Sequence, residues 1–465
     1  MLTPTAKMIW WTAWVGLPAG VLLALSSETG LIGLIGLFGL LIVVMFDAVM
    51  SSSRLASLRI ELPAIARLSK DRSGKMDLFV TNDSQQARQI RIGLPLPREF
   101  RSDQEHLNAL LPAGVAKSTL TWPCCPLKRG AYPIEKVFFE VHSPLGFWAV
   151  RGACASPCEV RVYPNLLTER RHLAALFLNR GSFGIHAQRQ VGKGRDFEKL
   201  REYIPGDSFD DVHWKATAKR GHPVTKVYQI ERTQEIYVVI DASRLSARQV
   251  NIPNGPSKST AALAPASREP IEEGAPMTST LERYITAALV LGLAAEQQGD
   301  LFGYVTFSDK VLQFVRAKNG RDHYATCRDA IYALQPQIVT PDFEELGTFL
   351  RLRLRRRALL VILTALDDPV LAENFVRSLD LMARQHLILV NMMQPPGIAP
   401  LFSDGTAGSL DDLYLKLGGH LRWQKLRELG QVLQRRGAKF SLLENEQLSV
   451  QLVTQYLNVK QRQLL

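Results

Sequence analysis

The chain has 465 residues, a formal net charge of +12 and 46% hydrophobic residues, which is enough material for two or three domains. Its five cysteines are an odd number, and their spacing suits neither a disulfide framework nor the C-x-x-C pairs of structural zinc sites. The sequence shows no recognised nucleic-acid-binding motif, so the positive charge does not predict a nucleic-acid partner. Basic residues beside an apolar segment instead favour contact with anionic lipid head groups.

Two apolar runs near the start, Ile9–Leu25 and Leu31–Phe46, predict a transmembrane hairpin within residues 1–57. We expect helices at about 9–26 and 31–50, joined by the short polar segment 26–30. A cleaved signal peptide is the competing interpretation of the first run. It is disfavoured because a single lysine precedes the run, no small-residue cleavage site follows, and a second apolar run comes directly after.

The charges around the hairpin predict its orientation. Lys7 precedes it, Arg54 and Arg59 follow it, and Glu28 lies in the connection. Because positive residues stay on the cytoplasmic side, both ends and the soluble domains are predicted to be cytoplasmic. Small residues on both helices favour close packing within the hairpin, or less simply a dimer: Gly16, Gly20, Ala24, Gly30, Gly33, Gly36 and Gly39.

Residues 58–164 have apolar positions that alternate with polar ones, as at Met76, Leu78 and Val80. Proline and glycine turns separate such runs, which predicts a small antiparallel β-sandwich. From residue 235 to 465 the period changes, because continuous apolar runs such as Ile236–Ile240 alternate with helical patterns. This alternation predicts a doubly wound α/β domain. A Pro-, Ser- and Gly-rich insertion at about 248–277 is predicted to be a disordered loop.

Residues 165–234 are predicted to hold a linker helix and then the most distinctive segment of the chain. Gly194 to Lys226 reads GRDFEKLREYIPGDSFDDVHWKATAKRGHPVTK. We expect a short helix here, capped by Ser208 and closed by Gly221 in the left-handed conformation. Acidic residues would occupy its first turn and basic residues its last turn.

The charge density around Trp214, which we expect to be partly buried, favours a partner-docking face or a junction between domains. A well-capped helix with surface charges is the plainer alternative. The candidate docking residues are Arg201, Glu202, Asp207, Asp210, Asp211, Trp214, Lys219 and Arg220.

We find no catalytic signature in the sequence. There is no G-x-S-x-G elbow, no H-E-x-x-H motif and no complete phosphate-binding loop. The chain is therefore expected not to be an enzyme.

The Gly194–Lys226 segment, together with Pro126–Trp148 and Val160–Asn165, resembles the bacterial family called domain of unknown function 58. Members of that family carry a von Willebrand factor A-like domain. The resemblance extends over almost the entire chain, and it implies a bacterial inner-membrane protein that acts beside a MoxR-type AAA+ ATPase.

The same resemblance implies a strand-end Mg²⁺ site of the D-x-S-x-S kind. Asp241 and Ser243 match its first half, but Leu245 replaces the second serine. Thr340 would be the threonine ligand. Ala365 stands where an aspartate is expected, with Asp367 or Asp368 as substitutes, so the site is degenerate. A strand-end carboxylate that caps the next helix is the competing interpretation of Asp241.

The function that the resemblance implies is a non-enzymatic membrane adaptor that binds the ATPase and its client in a chaperone-like system. Two alternatives remain open. One is an accessory protein of an envelope or polysaccharide-processing enzyme. The other is a structural membrane protein that self-associates through the hairpin.

Overall fold

The computed structural model describes residues 2–25, 27–56, 58–83, 87–179, 191–205, 207–229, 234–251, 277–401 and 409–462. The chain divides into two compact units, Met1–Asn165 and Leu166–Leu465. Most of the predicted disordered insertion at about 248–277 lies outside the described residues.

The N-terminal hairpin consists of α1 (Ala6–Leu25) and α2 (Ser27–Ala56). The stretches Ala6–Ala24 and Gly30–Ser51 are long and apolar enough to cross a membrane, with mean hydropathies of 1.2 and 2.5. This favours membrane association. The predicted five-residue connection is wrong, because α2 already begins at Ser27.

Close packing in the hairpin depends on one glycine. A Cβ atom at Gly33 would lie 2.8 Å from the carbonyl oxygen of Ala19 on α1, so only glycine permits this approach. The other predicted small-residue ridge does not face the partner helix, because Gly16, Gly20, Gly36 and Gly39 have no atom within 4 Å of an added Cβ.

The remainder of the first unit is built from strands. In chain order these are β1 (Leu2–Pro4), β2 (Leu58–Glu61), β3 (Ile65–Ser69), β4 (Gly74–Asn82), β5 (Arg88–Gly93), β6 (Phe100–Arg101), β7 (Leu107–Leu111), β8 (Lys117–Pro126), β9 (Gly130–His142) and β10 (Trp148–Tyr163). One sheet has the order β1-β10-β9-β5-β7, with β3 also paired to β10, and the other has the order β2-β4-β8-β6.

The two sheets share one core because their inward positions alternate along each strand. Met76, Leu78 and Trp122 of one sheet pack in the same cluster as Val137 and Val160 of the other. The expectation of a purely antiparallel sandwich is wrong in one respect, since β3 runs parallel to β10. The N-terminal β1 also joins this sheet, by pairing with β10.

A carboxylate near the end of α2 caps the turn between β9 and β10. Asp47 Oδ2 accepts a hydrogen bond of 2.5 Å from Ser143 Oγ and one of 3.3 Å from the Phe147 amide, while Oδ1 accepts one of 3.0 Å from the Leu145 amide. Asp47 is 1% exposed. The hairpin is thereby bonded to the sandwich through the polar groups of one turn.

The second unit alternates strands and helices. In chain order they are α3 (Leu167–Asn179), β11 (Val191–Glu202), α4 (Trp214–Arg220), β12 (Val224–Gln229), β13 (Glu235–Asp241), β14 (Gln249–Asn251), β15 (Met277–Ser279), α5 (Thr280–Gln297), β16 (Leu301–Phe307), β17 (Val311–Lys318), α6 (Arg321–Ile331), α7 (Phe343–Arg353), β18 (Leu359–Leu363), α8 (Pro369–Ala383), β19 (Leu387–Met393), α9 (Leu410–Arg435), β20 (Ala438–Leu443) and α10 (Leu448–Gln461).

The central sheet has the order β17-β16-β13-β18-β19-β20. Its strands are parallel except for the edge strand β17, which runs antiparallel to β16. Both faces of β13 are buried: Ile236 and Val238 pack in one apolar cluster, and Tyr237 and Val239 in a second. Leu173 of α3 belongs to the first cluster, so the predicted linker helix is part of this unit.

Candidate docking surface and strand-end site

The distinctive segment of the sequence forms a two-stranded ribbon with a turn and a helix at its end. β11 and β12 pair antiparallel, with Glu202 opposite Val224. Between them lie a single 3₁₀ turn, Phe209–Asp211, and the helix α4.

The predicted start of this helix is wrong. Ser208 precedes the 3₁₀ turn and makes no side-chain capping bond. Val212 is buried and forms an isolated bridge with Thr225 of β12, which requires extended backbone and interrupts the helix. The α-helix therefore starts one residue after His213, whose Nδ1 accepts a hydrogen bond of 3.0 Å from the Ala216 amide.

The predicted end of the helix agrees with the structure. Gly221 has a φ of 71°, the left-handed conformation in which other residues are strained, and its amide bonds to the Thr217 carbonyl. Lys219 and Arg220 lie in the last turn, where their positive charge is attracted to the negative end of the helix dipole.

Arg201 and Asp207 act within the turn. Arg201 Nη2 lies 2.7 Å from Asp207 Oδ1, and Asp207 Oδ2 accepts a hydrogen bond of 3.0 Å from the Ile204 amide. These two bonds, the backbone one first, lower the pKa of Asp207. Asp207 thus holds the turn in shape, and the partner contact predicted for it stays a prediction.

Three large apolar side chains of this segment face solvent: Ile204 is 57% exposed, Phe209 73% and Trp214 69%. The expectation that Trp214 is partly buried is wrong, because the helix is only two turns long and Trp214 is its first residue. Exposed apolar side chains rimmed by charge mark interaction sites. We call the segment from Ile204 to Arg220 the docking surface.

Most of the charged candidates form the rim of this surface. Glu202, Asp210, Lys219 and Arg220 are exposed, whereas Asp211 is half-buried. Sequence reasoning missed Ile204 and Phe209. The available signal in the sequence was that Ile204 directly precedes a Pro-Gly-Asp turn and Phe209 follows it by two residues.

The strand-end candidates begin with Asp241, the last residue of β13. Asp241 Oδ1 accepts a hydrogen bond of 2.8 Å from the Ser243 amide, and Oδ2 accepts one of 2.6 Å from Thr364 Oγ1. Asp241 is 0% exposed, and burial raises its pKa. Thr364 follows β18 and was not predicted as a site residue. Asp241 therefore bonds across the sheet as well as to the next turn, whose cap is Ser243.

The four predicted metal ligands do not fit Mg²⁺, which needs several oxygen atoms converging on one point. Thr340 lines a cavity of about 680 Å³ with Asp309 and Asp342. Asp367 lines a different cavity of about 570 Å³ and accepts a hydrogen bond of 2.8 Å from Arg248 Nη2. Both Asp241 oxygens are already bonded inside the protein. Within the described residues, no group of three or more His, Cys, Asp or Glu side chains could hold a metal ion.

Two solved structures show weak similarity to part of this chain. The ASH/PapD-like domain 7 of human CEP192 is 11% identical, with 23% of this chain and 87% of that one covered and a TM-score of 0.18. WR4, a C. elegans MSP family member, is 10% identical, with 23% and 97% covered and a TM-score of 0.16.

No curated protein matches the chain. A family model described as "Protein of unknown function DUF58" matches residues 199–251 and 270–401. These residues include the docking surface, the strand end at Asp241 and the central strands of the α/β sheet. The match across this C-terminal region supports the DUF58 family for this chain.

Proposed function

We propose that this protein is a non-enzymatic membrane-anchored adaptor that recruits a protein partner through the docking surface. The observation that carries the proposal is the exposure of Ile204, Phe209 and Trp214 within one short segment. Aromatic side chains of this kind dominate the binding energy of protein interfaces. The ion pair of Arg201 with Asp207 supports it, because a pre-formed turn lowers the entropy cost of binding.

The partner we propose is a MoxR-type AAA+ ATPase, acting with its client in a chaperone-like system. The DUF58 match supports this choice through the family resemblance. We also propose that the α/β unit is von Willebrand factor A-like. Two observations support this assignment. The chain places β16 on one side of β13 and β18 on the other, and Asp241 lies at the carboxyl end of β13.

The anchor is proposed to cross a bacterial inner membrane twice and to leave both soluble units in the cytoplasm. Two apolar stretches of sufficient length support the crossing. The lysine before the hairpin and the two arginines after it support the orientation.

The test is capture of the ATPase by the tagged full-length protein in mild detergent with ATP and Mg²⁺. Phe209→Ala and Trp214→Ala should each lower recovery by more than about tenfold, as expected for a hot-spot side chain. Phe138→Ala is the matched control, because Phe138 is 50% exposed but lies on β9. Equal recovery with all three variants contradicts the proposed surface. Recovery of envelope enzymes in place of the ATPase supports the accessory-protein alternative.

A further inference from the structure

The helix α9 has two apolar faces, and among the residues that the structure describes only one of these faces is buried. Gly419, Leu426 and Leu433 are its buried residues. A Cβ at Gly419 would lie 2.0 Å from the Gly397 carbonyl oxygen, so the helix is pressed against that loop. This contact and the buried leucines fix the rotation of α9 about its axis.

The opposite face is apolar over three turns and points to solvent. At intervals of three and four residues it carries Leu410, Leu413, Tyr414, Leu417 and Leu421. These side chains are 73%, 46%, 70%, 42% and 52% exposed. Residues at this spacing share one side of an α-helix. A continuous exposed apolar stripe of this length marks an interaction surface.

Basic residues flank this stripe on both sides. By the 3.6-residue period, Arg422 and Lys425 lie on one flank, and Lys416 and Arg427 on the other. Arg422, Lys425 and Arg427 are exposed. Long basic side chains at these angles can keep their stems on an apolar phase while their charges reach phosphate groups.

We infer that this face of α9 docks on the surface of an anionic lipid bilayer. Leucines on one side and flanking Lys and Arg form the pattern of helices that lie in the membrane interface. The same chain carries two helices apolar enough to cross a membrane, and its net charge of +12 suits an anionic leaflet. Lipid is favoured over a protein partner because basic residues lie on both flanks of the stripe and the same chain carries two helices apolar enough to cross a membrane.

The test places a fluorophore on this face in the full-length protein, held in nanodiscs of equal parts phosphatidylcholine and phosphatidylglycerol. Gln424→Cys puts the label beside the stripe without removing an apolar residue. Leu352→Cys on α7 is the control, because Leu352 is also exposed, at 73%. The half-buried Cys125 and Cys154 are changed to Ser so that they do not take the label.

Lipids that carry a nitroxide close to the head group should quench the fluorescence of the label at position 424. The fluorescence of the label at position 352 should stay unchanged. Replacing Leu413, Leu417 and Leu421 together by Ser should abolish the difference, with an unchanged melting curve as evidence of folding. Arg422→Gln and Lys425→Gln should each shift the ratio of docked to free helix by about fivefold at low salt.

Equal quenching at both positions overturns the inference. Shielding of position 424 that requires two copies per disc, without quenching by the lipid, identifies a second copy as the occupant. Shielding that appears only when a soluble protein is added identifies a protein partner. Both of these results overturn the lipid proposal while leaving the adaptor proposal intact, because ATPase capture at Phe209 and Trp214 is measured separately.

Discussion

Thr364 Oγ1 donates a hydrogen bond of 2.6 Å to Asp241 Oδ2, and this bond joins the ends of two neighbouring parallel strands. These strands, β13 and β18, are the point where the strand order of the sheet reverses. In α/β sheets the crevice at such a point is the usual ligand site. In this protein Asp241 and Thr364 at that point are buried and bonded to each other. We therefore expect binding at other surfaces.

The charge of Asp241 should make stability depend on pH. Burial raises its pKa in the folded state, so the folded protein holds this proton more tightly than the unfolded chain does. The free energy of unfolding should therefore fall as pH rises above about 4, the unfolded value. Asp241→Asn removes this titration, so its stability relative to wild type should improve with rising pH in thermal melts.

Asp309→Asn is the control of opposite sign. A hydrogen bond of 2.7 Å from Ser308 Oγ lowers the pKa of Asp309. The stabilising bond is present above the unfolded pKa and is lost as pH falls through the folded one. The asparagine variant should lose stability relative to wild type as pH rises. Parallel pH profiles for wild type and Asp241→Asn would contradict the assigned cause.

Two buried threonines at the ends of the strands on either side of β13 should respond in opposite ways to the same substitution. Thr364→Val removes the donor to Asp241 and should lower the free energy of unfolding by about 1–3 kcal/mol. Thr306 is also 0% exposed, but its Oγ1 has no partner among the described residues. Thr306→Val should therefore be neutral or stabilising. Denaturant unfolding measures both, and equal losses would show that the Asp241 bond contributes nothing specific.

Magnesium should not stabilise the strand end. Asp241 is 0% exposed and Asp367 is paired with Arg248, so a Mg²⁺ ion could bind both carboxylates only if the strand end rearranged. Addition of Mg²⁺ should shift the melting temperature of wild type and of Asp241→Asn equally. A shift confined to wild type would indicate a metal site and a rearranged strand end.

Asp47 should stabilise the turn between β9 and β10. Asp47→Ala leaves the Ser143 hydroxyl and two turn amides without their acceptor, which should cost about 1–3 kcal/mol. Asp47→Asn retains one acceptor oxygen and should cost less. Limited proteolysis between Ser143 and Phe147 in detergent reports the opening of the turn. Equal cleavage of wild type and the alanine variant would show that Asp47 does not hold the turn.

Substitution of Asp207 and substitution of Asp210 should have different effects on amide exchange in the turn, although both residues lie in the docking surface. Asp207→Asn removes the ion pair with Arg201, so amide exchange at Ile204 should accelerate. Asp210→Asn should leave that exchange unchanged, because Asp210 is exposed. The lowered pKa of Asp207 implies a bonded turn above about 4 and loosening only as pH falls below that value. If the Ile204 amide exchanges at similar rates in both variants, the ion pair of Asp207 with Arg201 does not hold the turn in shape.

Much of the local structure follows from local sequence. The apolar hairpin, the alternating strands before residue 164 and the buried strand at Ile236–Ile240 were all predicted, because periodicity records which faces an element buries. The closure of α4 at Gly221 was predicted as well, since a left-handed residue after basic ones is a local feature.

Only the tertiary structure decided which residues meet. The start of α4 depends on Val212 pairing with Thr225 across the ribbon, and this contact overrides the local capping signal at Ser208. The partner of Asp241 is Thr364, 123 residues further along the chain. Long-range contacts of this kind leave no periodic trace in one sequence. For the same reason the exposure of Trp214 and of the second face of α9 appears only after the core has been assembled.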